Sequence, residues 1–139
     1  MTTACPFCQI MAGDVSGHVV HETEHTVAFL DIRPLFHGHM LLVPRVHHET
    51  LADLPAELVE PLFSTARHLA ATVEPALGAA GSFVAINNRV SQSVPHLHVH
   101  VVPRNRKDGL RGFFWPRTTY ESDAQMAEVA ATLRAALAD

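Results

Sequence analysis

The sequence predicts one α+β domain, residues 1–139, built on a five-stranded antiparallel sheet. A long helix is expected between strands 3 and 4, and another helix at the C-terminal end. Two observations support this fold class. Segments of strand character cluster as three and then two instead of alternating singly with helices, which favours antiparallel pairing over a doubly wound parallel sheet. Extended helical periodicities separate the two groups and follow the second. A chain of 139 residues is long enough to bury one core of ordinary size.

The predicted elements follow one another closely. Strands are expected at residues 18–22, 26–32, 40–43, 82–87 and 96–102. A short helix or turn over residues 5–12 ends at Gly13, and a last helix begins near Asp123. The long helix begins near Asp53, with Pro61 expected to kink it or to mark the start of its main part. Its core-facing stripe consists of Leu58, Leu62, Ala66, Leu69, Val73 and Leu77.

Composition excludes several classes of protein. Hydrophobic residues make up 47% of the chain and the formal net charge is −4, which indicates a globular protein. No basic run supports sequence-independent binding to nucleic acid, and no apolar run has the length of a membrane span. The N-terminal residues lack the pattern of a signal peptide, so a cytoplasmic location is expected.

A row of three histidines alternates with aliphatic residues in the last predicted strand. The row consists of His96, His98 and His100. Such alternation is typical of a half-buried strand, in which side chains at i, i+2 and i+4 share one face. The three imidazoles are therefore expected on one face, with Leu97, Val99 and Val101 directed into the core.

Four interpretations of this row are open from the residues alone. It is a structural surface strand, a metal site, a catalytic site with an imidazole nucleophile, or a nucleotide-binding surface without catalysis. The neighbouring residues favour a phosphorylated sugar as the ligand. Ser91, Gln92 and Ser93 offer donors for phosphate oxygens, and Asp31, at the end of another strand, can accept from a sugar hydroxyl.

Residues 96–102 match the His-φ-His-φ-His-φ-φ signature, where φ is apolar, of the histidine triad (HIT) superfamily. Residues 28–34 resemble the nucleoside-binding strand of that family, and residues 38–47 resemble the segment after it. Residues 92–94 approach the triad as in the Hint-like branch. The resemblance covers residues 5–115 and implies a HIT-like fold.

The resemblance also implies a mechanism, because known members are nucleotide hydrolases and transferases. His98 would attack the α-phosphorus and form a covalent nucleotidyl-histidine, which water then hydrolyses. His100 would donate to the non-bridging oxygens, Ser93 would contact the leaving group, and His96 completes the catalytic set. No catalytic metal is required, because His98 supplies the covalent step.

The resemblance assigns the substrate contacts as well. Asp31 would hold the ribose hydroxyls and Asn87 would touch the scissile region. The base pocket would be formed by Phe7, Ile10, Val15, Leu30 and Ile32, with Gln92 beside Ser93 and His39 behind the triad. Nucleoside 5′-phosphoramidates of the AMP-amine type are the leading substrates. Dinucleoside polyphosphate hydrolysis and nucleotidyl transfer are the alternatives within the family, and a binding module with little turnover is the alternative outside it.

Cys5 and Cys8 form a Cys-x-x-Cys pair that alone fits a redox pair, half a zinc site or two packed thiols. The resemblance to a zinc-bearing bacterial subset implies a closed site for structural Zn²⁺ made of Cys5, Cys8, His47 and His96. Such a site would pin the N-terminal helix to the sheet. The other histidines, His18, His21, His25, His37, His48 and His68, are expected to be solvated or to pack.

Phe113, Phe114 and Trp115 concentrate apolar surface in a loop after the triad. They either pack on the core of their own chain or mark an interface. The resemblance implies a homodimer in which two five-stranded sheets join. In that arrangement Trp115 would reach the nucleotide site of the neighbouring subunit.

Overall fold

The computed structural model describes residues 5–111 and 116–138, and its strands form one antiparallel sheet. The strands are β1 (Val19–Glu22), β2 (Thr26–Leu30), β3 (Met40–Pro44), β4 (Gly81–Ala85) and β5 (Val99–Arg104), in the spatial order β1-β2-β3-β5-β4. The helices are α1 (Pro6–Ala12), α2 (Ala56–Leu77) and α3 (Asp123–Leu137), with a 3-10 turn at Leu51–Asp53. The predicted fold class is confirmed, because α2 joins β3 to β4 and α3 follows the sheet.

The central strand β3 has both faces covered. It lies between β2 and β5, and all of its residues are buried. Met40 and Leu42 belong to the cluster that packs against α2, whereas Leu41 and Val43 pack with Phe7 of α1. Successive side chains of a strand point to opposite faces. Helix α2 therefore covers one face of the sheet and α1 covers the other.

Helix α2 packs through the apolar stripe that its sequence predicts, except that Leu77, in the last turn, is 55% exposed and does not face the core. Leu62, Leu69 and Val73 are at most 4% exposed and share a cluster with Leu97 and Val99. The aliphatic residues of the histidine row thus enter the core opposite the imidazoles, as alternation predicts. Burying such side chains supplies the main free energy of folding, roughly 2 kcal/mol for each of them.

Pro61 does not mark the start of α2, since the helix is continuous from Ala56 to Leu77. The Thr65 hydroxyl donates to the Pro61 carbonyl at 2.9 Å. Gly78 ends the helix in the left-handed conformation with φ of +66°, which a glycine adopts without steric cost.

The short helix α1 carries both a cysteine of the Cys-x-x-Cys pair and the apolar side chain of Phe7. Cys5 caps its N-terminus, where its Sγ accepts from the Cys8 N–H at 3.4 Å, and Gly13 ends it with φ of +84°. A helix of this length is not stable alone. Its position depends on Phe7, which is 6% exposed and packs edge-on against Phe29.

The predicted bounds of the last two strands were wrong. The ladder of β5 begins at Val99 and not at His96, because the Leu97 N–H donates to the His48 carbonyl of a loop at 2.7 Å. The segment is also more than half-buried: His96 is 0% and His98 4% exposed. Strand β4 ends at Ala85 because no pairing with β5 continues beyond it within the described residues.

The chain divides into two compact units, Met1–Asp108 and Gly109–Asp139. In the second unit, the Ser122 hydroxyl accepts from the Gln125 N–H at 3.0 Å and so caps α3. Phe113, Phe114 and Trp115 lie outside the described residues, so their predicted roles stay predictions, as does the assignment of residues 1–139 to one domain. Among the helices of the described ranges, none combines the length and the apolar character needed to cross a bilayer.

Candidate active site

A cavity of about 580 Å³ opens on the α1 side of the sheet. His98 and His100 lie in its wall. The predicted substrate contacts that line it are Phe7, Ile10, Val15, Leu30, Asp31, Ile32 and Ser93. The sequence reasoning missed Pro6, Ser16, Phe29, Arg33, Leu41 and Val94, which line it as well. Phe29 could have been predicted from the sequence, because it lies two residues before Asp31 and side chains at that spacing in a strand share a face.

The backbone fixes the tautomer of His98. Its Nδ1 lies 2.7 Å from the carbonyl oxygen of His96. A carbonyl oxygen only accepts, so Nδ1 carries the proton and donates. The Nε2 atom of neutral His98 therefore keeps a lone pair, and Phe7 packs edge-on against this ring at a centroid distance of 5.0 Å. This is the arrangement of a nitrogen nucleophile on a restrained ring.

The tautomer of His100 is set by a chain of two contacts. The Leu35 N–H donates to His39 Nδ1 at 3.0 Å, so neutral His39 carries its proton on Nε2. That N–H donates to His100 Nδ1, also at 3.0 Å, and leaves His100 with its proton on Nε2. The rings of His98 and His100 are 4.9 Å apart. One ring offers a lone pair and its neighbour offers an N–H donor.

Burial keeps His39 and His100 neutral near pH 7. It is the main cause that lowers the pKa of His100 to about 4, to which His98 and His39 add and which Asp31 opposes. Burial also lowers the pKa of His39 below its usual value, again against the effect of Asp31. The tautomers of His39 and His100 are therefore those that operate at neutral pH.

Asp31 follows the end of β2 and lines the cavity. Its Oδ1 accepts from the Arg33 N–H at 2.9 Å, and its Oδ2 lies 3.7 Å from His39 Nε2. Asp31, His39 and His100 each bring a ligand atom within 4.8 Å of the others, so this group also has the composition of a metal site.

Three predicted contacts lie elsewhere among the described residues. His39 sits behind His100, and Asn87 is not part of the cavity wall. The Gln92 side chain braces its own loop: Nε2 donates to the Glu49 carbonyl at 2.7 Å and Oε1 accepts from the Arg89 N–H at 2.8 Å. The substrate roles of His39, Asn87 and Gln92 stay predictions, and Trp115 lies outside the described residues.

Cys5, Cys8, His47 and His96 form a second cluster, and their ligand atoms all lie within 4.8 Å of one another. His96 Nδ1 is 3.4 Å from Cys5 Sγ and 3.6 Å from Cys8 Sγ, and His47 Nδ1 is 3.4 Å from Cys8 Sγ. A tetrahedral zinc ion with ordinary bond lengths holds sulfur and nitrogen ligands about 3.6 Å apart. The cluster could therefore hold a metal ion.

The positions of the protons in the cluster are also compatible with metal binding. His96 Nε2 donates to the Pro44 carbonyl at 3.1 Å, which leaves a lone pair on the Nδ1 that faces the sulfurs. Burial, together with the neighbouring Cys5, raises the pKa of the Cys8 thiol to about 11. A bound divalent cation reverses that effect, because it stabilises the thiolate.

Residues 12–107 match the family described as HIT domain. The chain belongs to the HIT family. This HIT protein is 32% identical over 114 residues to adenosine 5′-monophosphoramidase HNT1 of Saccharomyces cerevisiae, a match that covers 79% of this chain and 69% of the yeast protein. The predicted family membership is confirmed.

Solved structures of HIT proteins have the same fold. A member of the HIT family from Bacillus subtilis superposes with a TM-score of 0.86 at 30% identity, covering 98% of this chain and 99% of the other. A zinc-bound histidine triad protein from Mycobacterium smegmatis gives a TM-score of 0.75 at 34% identity, covering 98% and 99%.

Proposed function

We propose that this HIT protein is a nucleotide hydrolase that cleaves nucleoside 5′-phosphoramidates of the AMP-amine type through a covalent intermediate on His98. One observation carries the proposal: a lone pair on His98 and an N–H on His100 stand side by side in the wall of a largely apolar cavity that also contains a carboxylate. The yeast relative named for adenosine 5′-monophosphoramidase activity supports the choice of substrate.

In the first step, His98 Nε2 donates its lone pair to the α-phosphorus and the phosphorus–nitrogen bond to the leaving amine breaks. The ring becomes cationic, and its Nδ1–H bond to the His96 carbonyl stabilises that charge. His100 Nε2–H donates to a non-bridging oxygen as negative charge develops there. Ser93, in the cavity wall, passes its hydroxyl proton to the departing amine and is reprotonated from solvent.

In the second step, water attacks the phosphorus of the nucleotidyl-histidine and releases a proton to solvent, and the phosphorus–Nε2 bond breaks. The electron pair returns to His98, and the nucleoside monophosphate leaves. Asp31 accepts from the ribose hydroxyls throughout. The side chains of Phe7, Ile10, Val15, Leu30 and Ile32 provide apolar surface for the base.

We infer that the Cys5–Cys8–His47–His96 cluster holds Zn²⁺. Its sulfur–nitrogen distances and its His96 tautomer support this choice, as does the zinc-bound HIT structure from Mycobacterium smegmatis. Four protein ligands leave no open position for substrate, so a zinc ion there is structural. It supplies a fixed anchor for α1.

Dinucleoside polyphosphate hydrolysis is the second candidate, because the same attack on an α-phosphorus serves both substrates. A homodimer and a cytoplasmic location also remain proposals for this chain. Light scattering of the purified protein measures its oligomeric state, and a monomer would exclude any contribution of Trp115 to a neighbouring site.

Turnover of a substrate panel by the wild type and by His98→Ala tests the function. The panel contains an adenosine 5′-phosphoramidate and a dinucleoside tetraphosphate. The wild type is expected to release AMP from the phosphoramidate faster, and His98→Ala is expected to lose roughly a thousandfold or more in kcat, as removal of a nucleophile does. Mass spectrometry of wild type quenched in alkali, in which a phosphorus–imidazole bond persists, should find one nucleotidyl group on the chain.

His68→Ala is the matched control, since His68 is an exposed histidine on α2, which covers the other face of the sheet. It should retain wild-type kcat. Unchanged turnover by His98→Ala would remove the proposed nucleophile. No turnover of either substrate by the wild type would favour a binding module instead.

A further inference from the structure

Arg33 gives the cavity wall a permanent positive charge. Among the described residues that line the cavity, it is the only arginine, and none of them is a lysine. Its side chain is exposed, and its guanidinium forms no ion pair or hydrogen bond with any residue of the described ranges. The attack by His98 and the donation by His100 make no use of it.

The position of this charge relative to Asp31 is fixed by the backbone. The Arg33 N–H donates to Asp31 Oδ1 at 2.9 Å, so carboxylate and arginine belong to one tight turn after β2. A group that binds to the free edge of the Asp31 carboxylate therefore lies within reach of the Arg33 side chain, which is long and flexible.

We propose that Arg33 forms an anion subsite beside Asp31, and that the protein binds nucleotides with a phosphate on the 2′ or 3′ oxygen of the ribose more tightly than nucleotides without one. The proposal rests on the proposed function, in which Asp31 accepts from a ribose hydroxyl. Dinucleotide-binding sites use these two groups as alternatives, an acidic residue where the ribose carries a free hydroxyl and an arginine where it carries a phosphate.

The charge pattern explains why both groups are needed. A phosphate on one ribose oxygen lies close to the Asp31 carboxylate, which repels it. Arg33 offsets that repulsion and offers a planar guanidinium suited to two phosphate oxygens. Asp31 then accepts from the ribose hydroxyl that remains. Without a ribose phosphate, the guanidinium stays in solvent, as the structure shows it.

Binding of defined nucleotides to the full chain, measured by isothermal titration calorimetry, tests the proposal. The ligands are AMP, adenosine 2′,5′-bisphosphate, adenosine 3′,5′-bisphosphate and ADP, whose second phosphate extends toward the leaving-group side. The proteins are the wild type, Arg33→Gln and Arg67→Gln. Arg67 is an exposed arginine on α2, so its replacement removes the same charge from the other face of the sheet.

At least one bisphosphate should bind the wild type roughly three- to tenfold more tightly than AMP, the size of one partly solvated charged contact. This ratio should fall to about one in Arg33→Gln and persist in Arg67→Gln. Equal affinities for AMP and both bisphosphates in the wild type, or a ratio that survives Arg33→Gln, would overturn the subsite. A gain that depends on Arg33 for ADP alone would also overturn it and assign Arg33 to the leaving group. Failure of the wild type to bind AMP at all would instead contradict the proposed function.

Discussion

Two adjacent imidazoles differ in which nitrogen carries the proton, and two backbone groups, one near in sequence and one distant, decide the difference. His98 donates to the carbonyl of His96, whereas His100 accepts from His39, which in turn accepts from the Leu35 N–H. The sequence predicts the row of histidines from alternation alone. It does not reveal the tautomers, because the contact between His39 and His100 depends on the pairing of β3 with β5.

His39 is therefore a positioning residue for His100. His39→Leu removes the donor to His100 Nδ1, so His100 can place its proton on either nitrogen. We expect kcat to fall, by less than the roughly hundredfold or more that loss of an oxyanion donor costs, while KM changes little. Steady-state kinetics measures both constants.

His39→Gln should restore part of this kcat, because the Gln side-chain amide can donate where Nε2 did. A purely structural role predicts something else: equal losses in both variants that follow their melting temperatures. That outcome would show that His39 does not set the tautomer of His100 for catalysis.

The lowered pKa of His100 also makes folding depend on pH. The ordinary value is 6.5 and the folded value is about 4, so the unfolded chain takes up the proton first as the pH falls. The contribution of neutral His100 to stability is fully present above pH 6.5 and is lost as the pH falls toward 4. Urea unfolding midpoints across this range should decline, and His100→Asn should decline less steeply. Parallel slopes for the two proteins would contradict the assignment.

Helix α1 serves two sites at once. Cys5 and Cys8 bring its first turn to His47 and His96, while the same helix places Phe7 in the wall of the cavity. The sequence predicts the short helix and its end at Gly13, because both depend on neighbouring residues. The contact between this helix and the histidine row depends on long-range packing. It could be predicted only from the family resemblance.

Prediction from the sequence failed where tertiary contacts replaced local pattern. Strand β5 begins later than alternation indicates because a loop carbonyl, that of His48, takes the Leu97 N–H. The contacts of the Gln92 side chain with the Glu49 carbonyl and the Arg89 N–H were not foreseen from the sequence, because they join separate parts of the loop region. The place of Arg33 in the cavity wall could not be predicted from the sequence, because a single exposed residue in a turn is part of no periodic pattern.

Loss of the proposed zinc ion should loosen α1 first. With Cys8→Ser, or after treatment of the protein with a chelator, only the packing of Phe7 and its neighbours holds this short helix. Hydrogen exchange at the amides of residues 8–12 should accelerate by roughly tenfold or more, while exchange in β3 stays slow. Equal exchange in α1 before and after chelation would show that the metal is not its anchor. Ser64→Ala, an exposed change on α2, serves as the control substitution.

The two faces of the sheet differ in role: one packs into the hydrophobic core, and the other carries the candidate sites. The α2 face buries the aliphatic residues of the histidine row together with Met40 and Leu42. The α1 face carries the imidazoles, the cavity and the cysteines. Because successive side chains of each strand alternate between these faces, the residues that stabilise the fold and those that carry the chemistry interleave along the same strands.

Phe7 stands between the two sites of the α1 face. Its ring is edge-on to His96 at 5.9 Å and to His98 at 5.0 Å. If occupancy of the cysteine cluster favours the placement of α1 that completes the cavity, thermodynamic reciprocity requires a filled cavity to favour the same occupancy. The proposed zinc ion would then bind more tightly when nucleotide fills the cavity, so the two sites of one face would share a single binding equilibrium.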